Sequence, residues 1–361
     1  MTVRVAVLAD DLSGAAEVAG VFLDRAVPVS LQLNNFRPSV GVTVVDLNTR
    51  AMTRQQATDT LRAALADIPG DFRIVKKIDS LLRGHIGAEV AVLADRGPVV
   101  VTAALPALSR TVRGGVLYLG ETPLHESNAW AAERALPPHR IADLFTARPA
   151  DLEICDAATD ADLDAIVAEA PGAQLVGTSA MAAAVARTLP TGRRDTVERG
   201  SSKTVLTVVG TAAPVAATQV DALVANGAMP VMVDAQALLH DKADPGPVQD
   251  ALGQGSAVLT VGGVVEPAEG QAVSAALGQF IATAVGEHRP DLVLTGGETA
   301  RAVVDAIGVT TLCPVHEIHH GAVESVTSDG RRIVTRPGTF GTANSLVAIV
   351  RYLTQRSEDN T

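Results

Sequence analysis

Near its N-terminus the chain reads Val3-Arg4-Val5-Ala6-Val7-Leu8, followed by Asp10-Asp11 and then by Leu12-Ser13-Gly14-Ala15-Ala16-Glu17. A short Val-rich run that gives way to an Ala-rich stretch predicts a buried strand followed directly by a helix. Further Val-rich runs alternate with Ala-rich stretches, at Val40 to Val45, Phe72 to Val75, Pro98 to Thr102 and Leu175 to Gly177. This alternation predicts strand-helix-strand units and a mostly parallel sheet.

The pattern restarts after residues 191–203, which are polar, lack apolar periodicity and are typical of a linker. Beyond them we predict further strands and helices, and a hairpin around Ser328-Asp329-Gly330. A chain of 361 residues also exceeds the usual size of one hydrophobic core. The predicted fold class is therefore α/β, with two α/β domains of mostly parallel sheet, at residues 1–195 and 204–361, and a ligand cleft between them.

The composition restricts the classes of partner. Hydrophobic residues make up 47% of the chain and charged residues 19%, which excludes a disordered protein. The net charge of -11 argues against binding to nucleic acid or to anionic membranes, because both depend on clustered Lys and Arg. Cys155 and Cys313 are far apart, and the N-terminal apolar run is too short for a signal peptide. We expect a cytoplasmic protein without nucleic acid or membrane partners. The sequence leaves open whether the chain forms a homodimer.

The stretch Lys76-Lys77-Ile78-Asp79-Ser80-Leu81-Leu82-Arg83-Gly84-His85 is the strongest candidate for chemistry. The chain has four lysines, and two of them are adjacent here, directly after a predicted strand. Arg83 can hold a carboxylate with two parallel hydrogen bonds, and Lys77 adds a point charge. Asp79 and Ser80 can bind hydroxyl groups. The combination indicates a site for a small hydroxy acid, and the alternative is a solvated loop whose charges serve solubility.

Other loops are predicted at the same edge of the sheet. Asp10 and Asp11 follow the first strand, where ligands bind in open α/β sheets, although either can also cap the next helix. Arg50 follows the strand that ends near Leu47 and offers a second cation. Arg110 follows the predicted strand Pro98 to Thr102 and adds a third.

The second half carries three glycine turns after predicted strands. They are Thr295-Gly296-Gly297-Glu298-Thr299, Gly210-Thr211 and Pro337-Gly338-Thr339-Phe340-Gly341. Glycine lets backbone amides approach a phosphate group at a helix N-terminus, although each turn can also be an ordinary tight turn. Neither a Walker A pattern nor Gly-x-Gly-x-x-Gly is present. His316-Glu317-Ile318-His319-His320 matches a zinc pattern that requires a helix, but Pro314 and Gly321 leave room for barely one turn, so no metal ligand is predicted.

Together these segments resemble the four-carbon acid sugar kinase family, which phosphorylates threonate or erythronate with ATP. The resemblance rests on residues 9–15, 76–84, 110–120, 295–299 and 337–341 and covers most of the chain. It implies that the first domain binds the sugar acid, that the second binds ATP with Mg²⁺, and that the phosphoryl group is transferred to a terminal hydroxyl. The implied acid-binding residues are Asp11, Arg50, Lys77, Asp79, Ser80 and Arg83, to which we add Asp10 and Arg110 from their places in the predicted loops. The implied nucleotide-binding residues are Thr211, Gly296, Gly297, Glu298, Thr299, Gly338 and Gly341.

Our hypothesis is a sugar-acid kinase in which Asp11 or Asp79 orients the attacking hydroxyl, and the sequence leaves both open. The chain departs from the family pattern at Leu81, at Ala212-Ala213 and at Arg336, where the family has threonine, a serine-rich turn and a lysine. The departure at Leu81 removes a hydroxyl near the substrate, and those at Ala212-Ala213 and Arg336 favour one rival, a non-catalytic sugar-acid binding protein that has lost nucleotide function. A sugar-acid dehydrogenase is disfavoured because the dinucleotide fingerprint is missing.

Overall fold

A computed structural model describes residues 3–131, 133, 135–192, 204–210, 214–266, 269–338 and 340–358. The chain divides into two compact units, Met1–Arg194 and Asp195–Thr361. The predicted linker falls mainly on residues 193–203, which lie outside the described residues. Each unit is described by itself below.

The first unit is built on a seven-stranded parallel sheet. The strands in chain order are β1 (Arg4–Ala9), β2 (Val29–Leu33), β3 (Gly41–Asp46), β4 (Arg73–Lys77), β5 (Val99–Val101), β6 (Arg110–Arg113), β7 (Val116–Leu119), β8 (Thr122–Pro123), β9 (Leu152–Ile154) and β10 (Gln174–Gly177). The parallel sheet has the order β2-β3-β1-β4-β10-β5-β9. Helices are α1 (Leu12–Gly20), α2 (Arg54–Ala66), α3 (Ile86–Ala94), α4 (Asp160–Glu169) and α5 (Ser179–Arg187).

The position of β1 explains why its sequence is a continuous apolar run. It pairs with β3 on one side and β4 on the other, and Val5 through Ala9 are buried. Such runs are typical of parallel strands whose two faces are both covered. The loops that follow β3, β1 and β4 consequently leave the same edge of the sheet side by side.

Strands β6, β7 and β8 form a separate three-stranded antiparallel sheet. Gly114 and Gly115 join β6 to β7 with positive φ angles of 58° and 74°, a conformation that glycine adopts without steric cost. Their amides donate to the two oxygens of Asp156 at 2.6 and 2.8 Å. The turn thereby fixes the hairpin, and Arg110 lies at its other end, paired with Leu119.

The second unit contains a mixed sheet that is mostly parallel. Its strands are β11 (Val205–Val209), β12 (Met229–Asp234), β13 (Ala257–Gly262), β14 (Asp291–Thr295), β15 (Thr311–His319), β16 (Ala322–Val326) and β17 (Arg332–Arg336), in the order β12-β13-β11-β14-β17-β16-β15. The last two neighbour pairs in that order are antiparallel, and β16 and β17 form the predicted hairpin. Helices are α6 (Pro214–Ala225), α7 (Ala235–Leu239), α8 (Gly246–Gln254), α9 (Gly270–Val285), α10 (Gly297–Ala306) and α11 (Ser345–Glu358).

Two α/β units with mostly parallel sheets confirm the predicted fold class. Within the described residues, no helix combines the length and apolar character needed to cross a lipid bilayer.

Candidate functional site

Arg50 connects three carboxylates at the C-terminal edge of the first sheet. It lies on a 3-10 turn, Thr49–Ala51, that follows β3. Its Nε donates to Oδ2 of Asp10 at 2.8 Å and its Nη1 to Oδ2 of Asp11 at 3.0 Å. The same Nη1 lies 3.6 Å from Oδ1 of Asp79, which follows β4. The structure therefore brings these four predicted residues together.

The charges in this cluster stabilise one another. Burial raises the pKa of Asp10, but Arg50, Lys76 and Lys77 lower it by more, so the net pKa lies below the ordinary value. For Asp79, too, burial is outweighed by Arg50 and by Arg83, and its pKa falls far below the usual range. The pKa of Arg50 is raised well above its usual value by the carboxylates, despite its burial. Asp10 and Asp79 are consequently ionised at neutral pH.

Asp79 organises the loop that follows β4. Its Oδ2 accepts hydrogen bonds from the backbone amides of Leu81 at 3.1 Å and of Arg83 at 3.2 Å. The Arg83 guanidinium adds two more, from Nε to Oδ2 at 2.8 Å and from Nη2 to Oδ1 at 2.7 Å. Leu82 takes a left-handed conformation, with φ at +63°, while 2% of its surface is exposed. Arg83 is thus committed to a carboxylate of its own loop.

The adjacent lysines point to opposite faces of the sheet, as alternation along a strand requires. Nζ of Lys77 donates to the Ile78 carbonyl at 2.9 Å and lies 4.0 Å from Oε2 of Glu17, on α1. Nζ of Lys76 lies 3.2 Å from Oε2 of Glu89, on α3, and both side chains are almost fully buried. Lys76 is therefore an internal counterion, and Lys77 is the lysine next to α1.

Arg110 differs from the other cations of the site. Its Nη1 donates a hydrogen bond to Oγ of Ser80. Burial lowers its pKa, Asp79 partly offsets that effect, and Arg83 adds to it. Among the residues that the structure describes, no carboxylate forms an ion pair with Arg110. Among the described residues, Arg110 is therefore a partly buried guanidinium of the site whose charge is not neutralised by direct pairing.

In the second unit, Gly296 forms the N-terminal cap of α10 with φ at +90°. Its amide donates to the Arg336 carbonyl at 2.9 Å. A Cβ on Gly210 would lie 1.9 Å from Oγ1 of Thr299, so the end of β11 passes directly against the first turn of α10. The first amides of a helix lack partners within the helix and attract anions. Thr211 lies outside the described residues.

The last glycine turn is held by two buried side chains. Arg336 donates from Nη1 to Oγ of Ser345 at 3.0 Å, from Nε to the Pro337 carbonyl at 3.3 Å, and from Nη2 to the Phe340 carbonyl. Burial lowers its pKa to about 10. Gln219, on α6, donates from Nε2 to the carbonyls of residues 340–342, at 2.9 Å for Thr342. The turn that contains Gly338 and Gly341 is thus shaped by Arg336, and Thr339 lies outside the described residues.

The histidine-rich stretch is a strand and a turn rather than a helix. His316 and His319 belong to β15. His316 stacks on Tyr352 with ring centroids 5.0 Å apart, and Nε2 of His319 lies 2.7 Å from Oγ of Ser345. In the part of the chain that the structure describes, no three His, Cys, Asp or Glu side chains are grouped so as to hold a metal ion.

Four residues that contact the candidate site residues of the two units were not predicted. Glu17 and Glu89 partner the two lysines, Gln219 binds the last glycine turn, and Trp130 donates from Nε1 to the Leu81 carbonyl at 2.7 Å. A single carboxylate within the otherwise small and apolar α1 was a usable signal for Glu17. The other contacts join residues far apart in the sequence, and no local pattern indicates them.

Comparison with known proteins relates the first unit to sugar-binding domains and the second unit to nucleotide-binding domains. Residues 5–148 match a family model described as a sugar-binding N-terminal domain, and residues 206–346 match a nucleotide-binding C-terminal domain. The chain is 29% identical to a D-threonate kinase of Cupriavidus necator, covering 94% of this chain and 95% of the relative. It is 27% identical to a D-threonate kinase of Bordetella bronchiseptica, covering 98% of each, and 27% identical to a 3-oxo-tetronate kinase of Methylobacterium radiotolerans, covering 95% of this chain and 98% of that relative.

Solved structures share the fold. A crystal structure from Salmonella typhimurium LT2 superposes with a TM-score of 0.77 at 19% identity, covering 97% of this chain and 99% of that one. One from Haemophilus influenzae gives 0.71 at 18% identity, covering 98% and 99%. Both family models, in the order in which the two domains occur, and relatives matched over nearly their whole length identify the chain as a member of the four-carbon acid sugar kinase family.

Proposed function

We propose that this sugar-acid kinase transfers a phosphoryl group from ATP to the terminal hydroxyl of a four-carbon sugar acid, namely threonate, erythronate or 3-oxo-tetronate. Arg110 carries the proposal. It is a partly buried cation with no carboxylate in direct contact among the described residues, and it lies beside the hydroxyl of Ser80 and close to Asp79. An anionic acid would neutralise its charge and would find hydroxyl-binding groups next to it.

We assign the acid carboxylate to Arg110 and its hydroxyl groups to Ser80 and the carboxylate cluster. Arg50 and Arg83 already donate to aspartates of the site, at distances of 3.0 Å or less. Their pairing keeps the loop in shape and makes them costly to recruit for substrate. Lys77, buried against α1, would supply longer-range attraction. This arrangement explains how an acidic chain can bind an acid.

Of the two candidate bases, the hydrogen bonds favour Asp11. Both oxygens of Asp79 are engaged by Arg83, and Oδ2 also accepts two backbone amides. Asp11 accepts from Ser13 and Arg50 at Oδ2, but its Oδ1 accepts one described bond, from the amide of Gly14 at 2.9 Å. A carboxylate oxygen can accept two hydrogen bonds. Oδ1 of Asp11 accepts from a neutral backbone amide, whereas Oδ1 of Asp79 accepts from Arg83 and also lies 3.6 Å from Nη1 of Arg50, so Asp11 is the less occupied carboxylate for the attacking hydroxyl. In phosphoryl transfer such a group acts mainly by positioning.

The nucleotide is assigned to the second unit, with its phosphates at the N-terminus of α10. Backbone amides of Gly297, Glu298 and Thr299 belong to that first turn, and no atom lies within 4 Å of a Cβ added to Gly296, which leaves the space at the start of the helix open. Gly210 makes room for the side chain of Thr299. The turn with Gly338 and Gly341 follows the neighbouring strand β17. Mg²⁺ would arrive bound to the triphosphate and would neutralise charge on the phosphate oxygens, since it usually keeps few protein ligands.

Calorimetry and a turnover assay test this function. The purified chain is titrated with D-threonate, L-threonate, D-erythronate and their 3-oxo relatives, and ATP consumption with Mg²⁺ is measured for each. We expect one acid to bind and to be consumed together with ATP. Binding of an acid without any response to ATP would overturn the kinase assignment and favour a non-catalytic binding protein.

A further inference from the structure

The chain has one tryptophan, and its indole lies against the acid loop, defined here as Asp79 to Arg83. Trp130 ends a 3-10 turn, Asn128–Trp130, and is half-buried. Its Nε1 donates to the Leu81 carbonyl at 2.7 Å, across 49 positions of sequence. No step of the proposed reaction uses this contact, although it holds the middle of the acid loop.

The bond reaches the point where the loop backbone is least relaxed. The Leu81 amide donates to Asp79, and the next residue, Leu82, is left-handed at φ +63° with its side chain buried. For a branched side chain such a conformation persists only where surrounding contacts enforce it. Trp130 supplies one of those contacts from outside the loop.

The segment of chain that leads to Trp130 also supplies Arg110. Arg110 begins β6 and pairs with Leu119 of β7, which pairs in turn with Thr122 of β8. The chain then passes through a turn, in which Oγ of Ser127 donates to the Leu124 carbonyl at 2.8 Å, and reaches Trp130. One continuous segment, residues 110–130, thus contacts two consecutive residues of the acid loop, the Ser80 hydroxyl through Arg110 and the Leu81 carbonyl through Trp130.

A third contact lies nearby. Oε1 of Glu133 is 3.8 Å from Nη1 of Arg83, at the far end of the acid loop. The distance is long for a hydrogen bond, so we give this pair a minor electrostatic role. The indole bond is the strong link.

We propose that Trp130 is a positioning residue for the sugar acid: its indole N–H fixes the acid loop relative to Arg110 without touching the substrate. The inference rests on the proposed function, because it assigns the acid to Arg110 and Ser80. Loss of the N–H would let the Leu81 carbonyl and the left-handed Leu82 relax. The Ser80 hydroxyl would then shift away from Arg110, and the acid would bind less tightly.

Trp130→Phe removes the donor and keeps a smaller aromatic ring at the same position. We expect the KM for the acid to rise about tenfold, the loss expected for one good hydrogen bond. The KM for ATP and the thermal midpoint should stay near those of the wild type. An acid KM within twofold of the wild type overturns the inference, as does an equal rise in both KM values, which would indicate a general structural defect.

The fluorescence of Trp130 provides a second test. We expect saturating acid to change the indole emission of the wild-type chain, and the change to disappear in Arg110→Gln at the same acid concentration. Unchanged emission in a chain that binds the acid by calorimetry overturns the inference and leaves the proposed function standing. If calorimetry detects no acid binding to the wild-type chain, both the proposed function and this inference fall.

Discussion

Arg83 donates two parallel hydrogen bonds to Asp79, from Nε to Oδ2 at 2.8 Å and from Nη2 to Oδ1 at 2.7 Å. The sequence indicated that Arg83 would hold a substrate carboxylate in this geometry, and the folded chain provides a carboxylate of its own instead. Binding an acid there would require breaking a pair that also raises the pKa of Arg83. We therefore assign the anchoring role to Arg110.

Arg110→Gln should raise the KM for the acid by about 10- to 100-fold, because a charge-assisted hydrogen bond to the substrate is lost. The KM for ATP should be unchanged. Arg113→Gln is the matched control, because Arg113 lies on the same strand but is exposed, with Glu121 at 3.3 Å and the Tyr118 ring beneath it. Steady-state kinetics with both variants provide the check. An equal effect at both positions would contradict the assignment.

Asp79→Asn should lower the free energy of unfolding at neutral pH by about 1 to 3 kcal/mol, since charged partners lose their acceptor. The pKa of Asp79 is far lower in the folded chain than in the unfolded chain. Its contribution to the free energy of unfolding is therefore fully present above about pH 5 and is lost as the pH falls. The stability difference between wild type and variant should therefore shrink as the pH is lowered from neutrality toward 3. Urea unfolding at several pH values measures it, and a difference independent of pH would contradict the assigned charge state.

Asp11→Asn should lower kcat by about 10²-fold or more while the chain stays folded. Asparagine caps helices about as well as aspartate, so α1 should remain intact. The variant separates the two candidate bases: if Asp11 orients the hydroxyl, its loss should reduce kcat without the stability loss expected for Asp79→Asn. A nearly normal kcat in Asp11→Asn would return the role to Asp79.

Gly210→Ala should weaken ATP binding at least tenfold and leave acid binding unchanged. Its Cβ would lie 1.9 Å from Oγ1 of Thr299, so the first turn of α10 would have to move. Gly253→Ala is the control, because that position lies in α8 with no atom within 4 Å of an added Cβ. We expect the control to bind ATP normally and to gain up to about 1 kcal/mol of stability. Calorimetry with ATP distinguishes the two.

Much of the fold follows from local pattern. The apolar runs that predicted strands correspond to β1, β3, β4, β5 and β10, because strands buried on both faces are apolar throughout. Strand β2 was not predicted, since Ser30 and Gln32 interrupt its apolar residues. Strand β9 has three residues, and Glu153 separates its two apolar ones, so it lacks the apolar run that marks β5, which is equally short. Elements with weak local patterns are defined by their neighbours in the sheet.

The site was predictable in its location but not in its pairings. Loops after adjacent parallel strands meet at one edge, which places Asp11, Arg50 and Asp79 together. Some cations of the site are already paired with carboxylates, as Lys76 is with Glu89. Such pairs join residues that are distant in the sequence, so the local sequence pattern does not indicate them. For the same reason Trp130 was missed. The roles of the site residues remain predictions that the variants above test.

The most direct test of the central claim is product analysis after incubation of the purified chain with ATP, Mg²⁺ and each four-carbon acid in turn. We predict that one acid gains a single phosphoryl group by mass spectrometry, with an equal amount of ADP formed, and that Arg110→Gln forms far less product at the same acid concentration. If no acid is phosphorylated under conditions where calorimetry shows that both ATP and an acid bind, the chain is not a sugar-acid kinase of the kind proposed.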